Sequence, residues 1–125
     1  MAAYDPDNIF ARILRGEIPC RKVHEDEHVL AFHDIHPQAP THVLIIPKGT
    51  YVSFDDFSRQ AKPEEIVALF RAVGSIARQL GLAPGDGDGG YRILANTGTD
   101  GGQEVPHFHV HLFGGRKLGR MIAAK

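Results

Sequence analysis

A single cysteine, Cys20, excludes an intrachain disulfide and any Cys-x-x-Cys metal site in this chain of 125 residues. No apolar run approaches the ~20 residues that cross a bilayer, so no membrane partner is expected. The first twenty residues carry Asp5, Asp7, Arg12, Arg15 and Glu17, which is incompatible with a signal-peptide core. The expected setting is therefore a reducing cytoplasm. A charge of one sign is also missing: 14 basic against 15 acidic residues give a net charge of −1 with the histidines neutral. That leaves no electrostatic footprint for a nucleic-acid polymer. Basic residues gather only mildly, at Arg116, Lys117, Arg120 and Lys125. What remains is an ordinary globular composition, long enough for one domain that buries on the order of two thirds of its unfolded surface.

Three histidines stand at alternate positions in Pro106-His107-Phe108-His109-Val110-His111-Leu112-Phe113. The apolar residues between them give the run a period of two, which predicts a strand with His107, His109 and His111 on one face. Buried imidazoles need partners for both ring nitrogens, so three in register are costly as plain core. An exposed polar face would not call for three identical, titratable side chains.

Elsewhere the pattern predicts two helices and several strands. Asp7 is expected to cap a short helix with Ile9, Phe10, Ile13 and Leu14 on one face and Gly16 just past its end. Val23 to Glu27 and Val29 to His33 read as strands, and Asp34 to Pro40 as a connection. The β-branched run Thr41 to Ile46 reads as a central strand stopped by Pro47 and Gly49. Tyr51 to Phe57 reads as a loop or a short helical turn. The strongest helix starts with Pro63, Glu64 and Glu65 and ends before Gly81, with Ile66, Leu69, Phe70, Val73, Ile76, Ala77 and Leu80 as its apolar stripe. Asp86-Gly87-Asp88-Gly89 hints at calcium, but an EF-hand loop would need Glu where Thr97 stands. Tyr91 to Ala95 reads as another strand, followed by a Gly-rich loop from Asn96 to Glu104. The fold class expected is α+β: a mainly antiparallel sheet with one long and one short helix.

That last loop runs straight into the histidines. Its glycines let backbone N–H groups approach an anion, and Asn96 and Gln103 add neutral amide donors. His42, early in the central strand, reaches the same place if the two strands are neighbours. Clustered imidazoles can hold zinc, although no carboxylate or cysteine stands in the strand itself. They can also act as nucleophile and acid on phosphorus or carbonyl centres. Residue chemistry leaves both open.

His107-Phe108-His109-Val110-His111-Leu112-Phe113 matches the His-φ-His-φ-His-φ-φ signature of the histidine triad (HIT) superfamily, φ being hydrophobic. Gly101-Gly102-Gln103, Gly114-Gly115-Arg116, Phe32-His33-Asp34-Ile35, Pro40-Thr41-His42, Asn8-Ile9-Phe10 and Gly16-Glu17-Ile18-Pro19 resemble its Hint branch. The resemblance implies one HIT domain over residues 1–125, a sheet continued across a homodimer, and hydrolysis of purine nucleoside phosphoramidates to AMP or GMP. It implies His109 as the nucleophile, His111 as the group that serves the leaving amine, and His107 and His42 as orienting groups. Asp34 would bind the ribose. Ile9, Phe10, Ile13, Phe32, His33 and Ile35 would form the base pocket, and Asn96, Gly102 and Gln103 would contact the phosphate and its surroundings.

The chain departs from the family in three places. Asn8-Ile9-Phe10-Ala11 stands where some bacterial relatives carry a zinc-binding cysteine pair, so neither metal nor other cofactor is expected. Glu104 replaces the serine that follows Gly-Gly-Gln in animal members. Arg120 to Lys125 replaces the animal tail with its tryptophan. The same nucleophile would also serve a dinucleoside polyphosphate hydrolase, against which Gly114-Gly115-Arg116 argues, or a nucleotide-sensing interaction module.

Overall fold

Five antiparallel strands in the order β1-β2-β3-β5-β4 carry the architecture in a computed structural model that describes residues 3–85 and 88–122. The strands are β1 (Lys22–Glu25), β2 (Val29–His33), β3 (Thr41–Pro47), β4 (Tyr91–Leu94) and β5 (Val110–Gly114). Four helices accompany them: α1 (Ile9–Leu14), α2 (Phe54–Gln60), α3 (Pro63–Gln79) and the single turn α4 (Gly98–Gly101).

The central strand is β3, paired with β2 on one side and β5 on the other. Residues 42 to 47 are all buried, which explains why the run is apolar throughout rather than alternating. Alternation sorts the sheet into two faces. Val29, Ala31, Val43, Ile45, Val110 and Leu112 form one core with Leu69, Val73, Ile76 and Ala77 of α3. Leu30, Phe32, Leu44 and Ile46 form a second with Phe10 of α1. Truncating fully buried Ile45 to alanine would cost about 2–5 kcal/mol.

The helical details correct several sequence expectations. The cap of α1 is Asn8, not Asp7: its side chain accepts the Ala11 N–H at 2.9 Å. Gly16 and Gly81 do follow their helices with positive φ. The stretch Tyr51 to Phe57 leads into a capped helix, α2. Ser53 and Asp56 close it reciprocally, so among the described residues two short helices and a helical turn accompany the long helix. The Gly-rich loop contains α4 and turns at Gly102 in the left-handed region. The histidine strand pairs only from Val110 onward; residues 107 to 109 lead into it without ladder bonds. Asp86 and Gly87, half of the calcium-like motif, and Ala123, Ala124 and Lys125 of the tail lie outside the described residues.

Candidate active site

The four histidines meet on the Phe10 side of the sheet. His42 pairs across β3 and β5 with Phe113, and Leu44 with His111, so His42 and His111 are diagonal neighbours. His42 Nε2 lies 2.9 Å from His111 Nδ1. The His109 ring packs edge-on to Phe10 at 4.9 Å and to His111 at 5.0 Å. His107 is fully buried beneath them.

Backbone partners fix which nitrogen of each ring carries the proton. The Pro47 carbonyl accepts from His107 Nε2 at 2.9 Å, and the His107 carbonyl accepts from His109 Nδ1 at 2.7 Å. A neutral His109 therefore keeps a bare Nε2 lone pair. His42 Nδ1 accepts the Gln38 backbone N–H at 3.2 Å, which leaves its proton on Nε2, aimed at His111 Nδ1. His111 in turn carries its proton on Nε2. The arrangement thus pairs one lone pair, on His109, with one N–H, on His111.

All four rings are held neutral near pH 7. Burial pushes His107 down to about 4 against the opposing pull of the Pro47 carbonyl. His111 also sits at about 4, first through burial and then through the neighbouring His109 and His42. Burial lowers His109 and His42 as well. The Asp34 carboxylate opposes the shift at both, and Glu104 does so at His109.

His109 and His111 open onto a cleft of about 200 Å³, lined also by Phe10, Asp34, His36, Gln38, Leu44, Asn96, Gly102, Glu104 and Val105. The expected residues Phe10, Asp34, Asn96 and Gly102 are therefore at its wall, with His42 and His107 behind. Phe32 supports Phe10 from beneath, ring centroids 5.6 Å apart. Ile13 packs in the same cluster, while Ile9 and Ile35 are exposed, Ile35 at 77%.

One placement is corrected and one is narrowed. His33 pairs with Val43 and shares its side of the sheet, so its imidazole lies on the α3 face, away from the triad. Gln103 has no free amide for a phosphate. Its Nε2 donates to the carbonyls of Val52 (2.6 Å) and Val105 (3.0 Å), and its Oε1 accepts the Gly98 N–H (3.1 Å), so it braces the loop. Sequence reasoning missed His36, Gln38, Leu44 and Val105 in the cleft wall, and the backbone role of Gln38. The signal for Leu44 was present, since it is two residues from His42 on one strand.

Asp34, His42 and His111 bring ligand atoms within 4.8 Å of one another, as a metal site would. Their hydrogen bonds do not suit an ion. A metal on His42 Nε2 would leave the proton on Nδ1, facing the Gln38 N–H, donor against donor. The residues do not fit a metal.

The HIT domain family matches residues 15–118. Among relatives, an uncharacterized 13.2 kDa HIT-like protein of Azospirillum brasilense is 66% identical over 95% of this chain and 94% of its own. The purine nucleoside phosphoramidase of Escherichia coli (strain K12) is 44% identical over 95% of this chain and 96% of its own. A 14 kDa zinc-binding protein of Zea mays is 45% identical over 91% and 86%. The solved histidine triad protein of Clostridium difficile superposes with a TM-score of 0.82 at 40% identity, covering 96% of this chain and all of that one. The chain belongs to the histidine triad family.

Proposed function

We propose that this protein hydrolyses the P–N bond of purine nucleoside phosphoramidates, releasing AMP or GMP, with His109 as nucleophile. The reading rests on one observation above all: the His107 carbonyl holds the proton of His109 on Nδ1, so its Nε2 lone pair is free toward the cleft. The phosphoramidase name of the Escherichia coli relative supports the same reaction class.

The chemistry follows from the proton placement. An anionic phosphate beside His111 raises that ring's basicity and brings a proton onto it with the substrate. His109 Nε2 then bonds to phosphorus, the P–N bond breaks, and the His111 proton goes to the leaving amine. In the second step, water adds to phosphorus as the P–Nε2 bond breaks, and its proton returns to His111. The nucleoside monophosphate leaves and His109 is neutral again. The loop from Asn96 to Gly102 offers neutral donors to the phosphoryl oxygens. Asp34 accepts from the ribose hydroxyls, and the base lies against Phe10 toward the exposed Ile9 and Ile35.

A dinucleoside polyphosphate is a poorer fit. Among the described residues no Lys or Arg lines the cleft, while Asp34 and Glu104 add negative charge there. The whole chain, residues 1–125, is read as one domain that works as a cytoplasmic homodimer. Tyr91 and Ile93 of the edge strand β4 and Val67 and Phe70 of α3 are exposed apolar residues on the same side of the sheet. An unpaired edge beside such a surface invites a second copy. A sedimentation mass near twice 13.7 kDa is expected.

The test compares adenosine phosphoramidate with diadenosine triphosphate, for wild type and His109→Ala, with and without chelation. Turnover of the phosphoramidate should survive chelation and fall by several orders of magnitude in His109→Ala, with AMP binding retained. A variant that keeps more than about a tenth of the activity, a loss of only ~1.4 kcal/mol in barrier, overturns the nucleophile. Activity lost to chelation and restored by zinc overturns the metal-free reading.

A further inference from the structure

The buried ring behind the nucleophile has a partner that lies outside the family match. Tyr4 stands 11 residues before the matched segment begins at residue 15. Its hydroxyl is 2.6 Å from His107 Nδ1, and its ring meets that imidazole edge-on at 5.6 Å and 71°. Because Nε2 of His107 donates to the Pro47 carbonyl, Nδ1 of the neutral ring is an acceptor, and the tyrosine O–H donates to it. Every hydrogen-bonding atom of a fully buried imidazole is then matched.

The segment that delivers Tyr4 is itself tied down. The Asp5 carbonyl accepts from Asn8 Nδ2 at 2.7 Å, and Asn8 in turn caps α1. The Pro6 carbonyl accepts from Arg15 at 2.7 Å. These bonds fix the N-terminal strap against α1, whose Phe10 packs on the nucleophile ring.

We infer that Tyr4 is a positioning residue of this site: its hydroxyl locks the His107 ring, and through the His107 carbonyl it sets the proton and orientation of His109. The chain of contacts is Tyr4 Oη, His107 Nδ1, the His107 main chain, and His109 Nδ1. Without the hydroxyl, a nitrogen lone pair is left unmatched in a fully buried place. The ring then has reason to turn over, at the expense of its bond to Pro47. The backbone at residue 107 would follow, and with it the aim of the His109 lone pair. A small misplacement of a nucleophile weakens attack more than binding.

The inference rests on His109 as the attacking group for its kinetic consequence, but not for its structural one. Tyr4→Phe keeps the edge-on ring packing and removes only the hydroxyl, while Tyr4→Leu removes both. Ring ¹⁵N spectra of the ligand-free protein report the His107 nitrogens directly. In Tyr4→Phe the Nδ1 resonance should move downfield, as an unprotonated nitrogen does on losing its donor, or the ring should exchange between two forms. Steady-state turnover of adenosine phosphoramidate should show kcat reduced about tenfold, ~1.4 kcal/mol in barrier. KM should stay within about twofold, because ground-state contacts are untouched. Tyr4→Phe with unchanged His107 resonances overturns the hydrogen bond. Wild-type kcat in Tyr4→Phe beside a loss in Tyr4→Leu reduces Tyr4 to packing and overturns the positioning role. If the resonances move as expected but His109→Ala remains active, the hydroxyl lock stands and the proposed reaction fails.

Discussion

Acidification from pH 7.5 to 5 should destabilise the folded protein through its buried histidines. His107 is fully buried and its folded pKa is pushed down to about 4, from 6.5 in an unfolded chain. Between those two values the unfolded state binds the proton and the folded state does not, so stability rises with pH and falls as pH drops. At pH 5 an unfolded imidazole is almost fully protonated while His107 remains almost fully neutral. The difference is about 2 kcal/mol from this ring alone. His111, likewise lowered to about 4 but partly open to solvent, adds to the loss with the same sign. Against a total of roughly 5–15 kcal/mol for a domain, that is a large fraction. Glu25, which its lysine partners Lys22 and Lys48 hold down at about 2, loses its ion-pair contribution only as pH falls below this window. The assay is urea unfolding at half-unit steps of pH, with His107→Gln as a control in which one titrating ring is gone and Pro47 can still find a donor. The wild type should lose 2 kcal/mol or more and the variant less. A loss below about 1 kcal/mol in the wild type would refute the neutral buried ring.

Gln103→Ala should cost about 1–3 kcal/mol of stability, read from the urea midpoint, because two carbonyls and one N–H lose their partner. A cost under about 0.5 kcal/mol would mean that the loop holds itself. Glu104→Lys should tighten AMP binding at low salt yet lower kcat on the phosphoramidate, since the carboxylate supports the basicity of His109 and a cation opposes it. Tighter binding together with a faster rate would remove Glu104 from the electrostatics of the nucleophile.

The parts legible in the sequence are those where one periodicity governs enough residues to be read. The seventeen residues of α3 repeat their stripe over several turns, and Pro63 and Gly81 mark its ends. The five residues of β2 and the run from Thr41 onward declare themselves by β-branching and by the proline that stops them. The helix α2 was harder because seven residues give few periodic positions, although Ser53 with Asp56 three residues later is a capping signal in its own right. The alternation of His107, His109 and His111 did put the rings on one side. It could not tell that the ladder begins only at Val110, since register is a property of two strands. The base-pocket place of His33 comes from resemblance to a motif, and that of Gln103 at the phosphate from its amide in a Gly-rich loop as well. Their side chains answer to the carbonyls of Val52 and Val105 and to the strand register, neither of which the linear order contains. Tyr4 is the extreme case, with 103 residues separating it from the ring it meets.

Among the described residues the cleft wall has no lysine or arginine, which looks at first like a handicap for the proposed phosphate chemistry. The proton inventory turns it into a condition of the proposed chemistry. His111 starts neutral, so it must take up a proton before it can give one to a leaving amine. The charge that raises its basicity is the substrate's own phosphate. A fixed cation among the lining residues would satisfy that charge first and keep His111 deprotonated. It would also lower the basicity of His109, which Asp34 and Glu104 support against burial. Tighter ground-state binding would then come with a poorer acid and a poorer nucleophile, the exchange that uniform binding always makes. In the proposed chemistry, neutral donors from the loop and four uncharged rings would hold the phosphate loosely but leave its charge available to move a proton. An amine leaves readily only once protonated, so a P–N bond gains from this arrangement more than the P–O bond of a phosphoanhydride does.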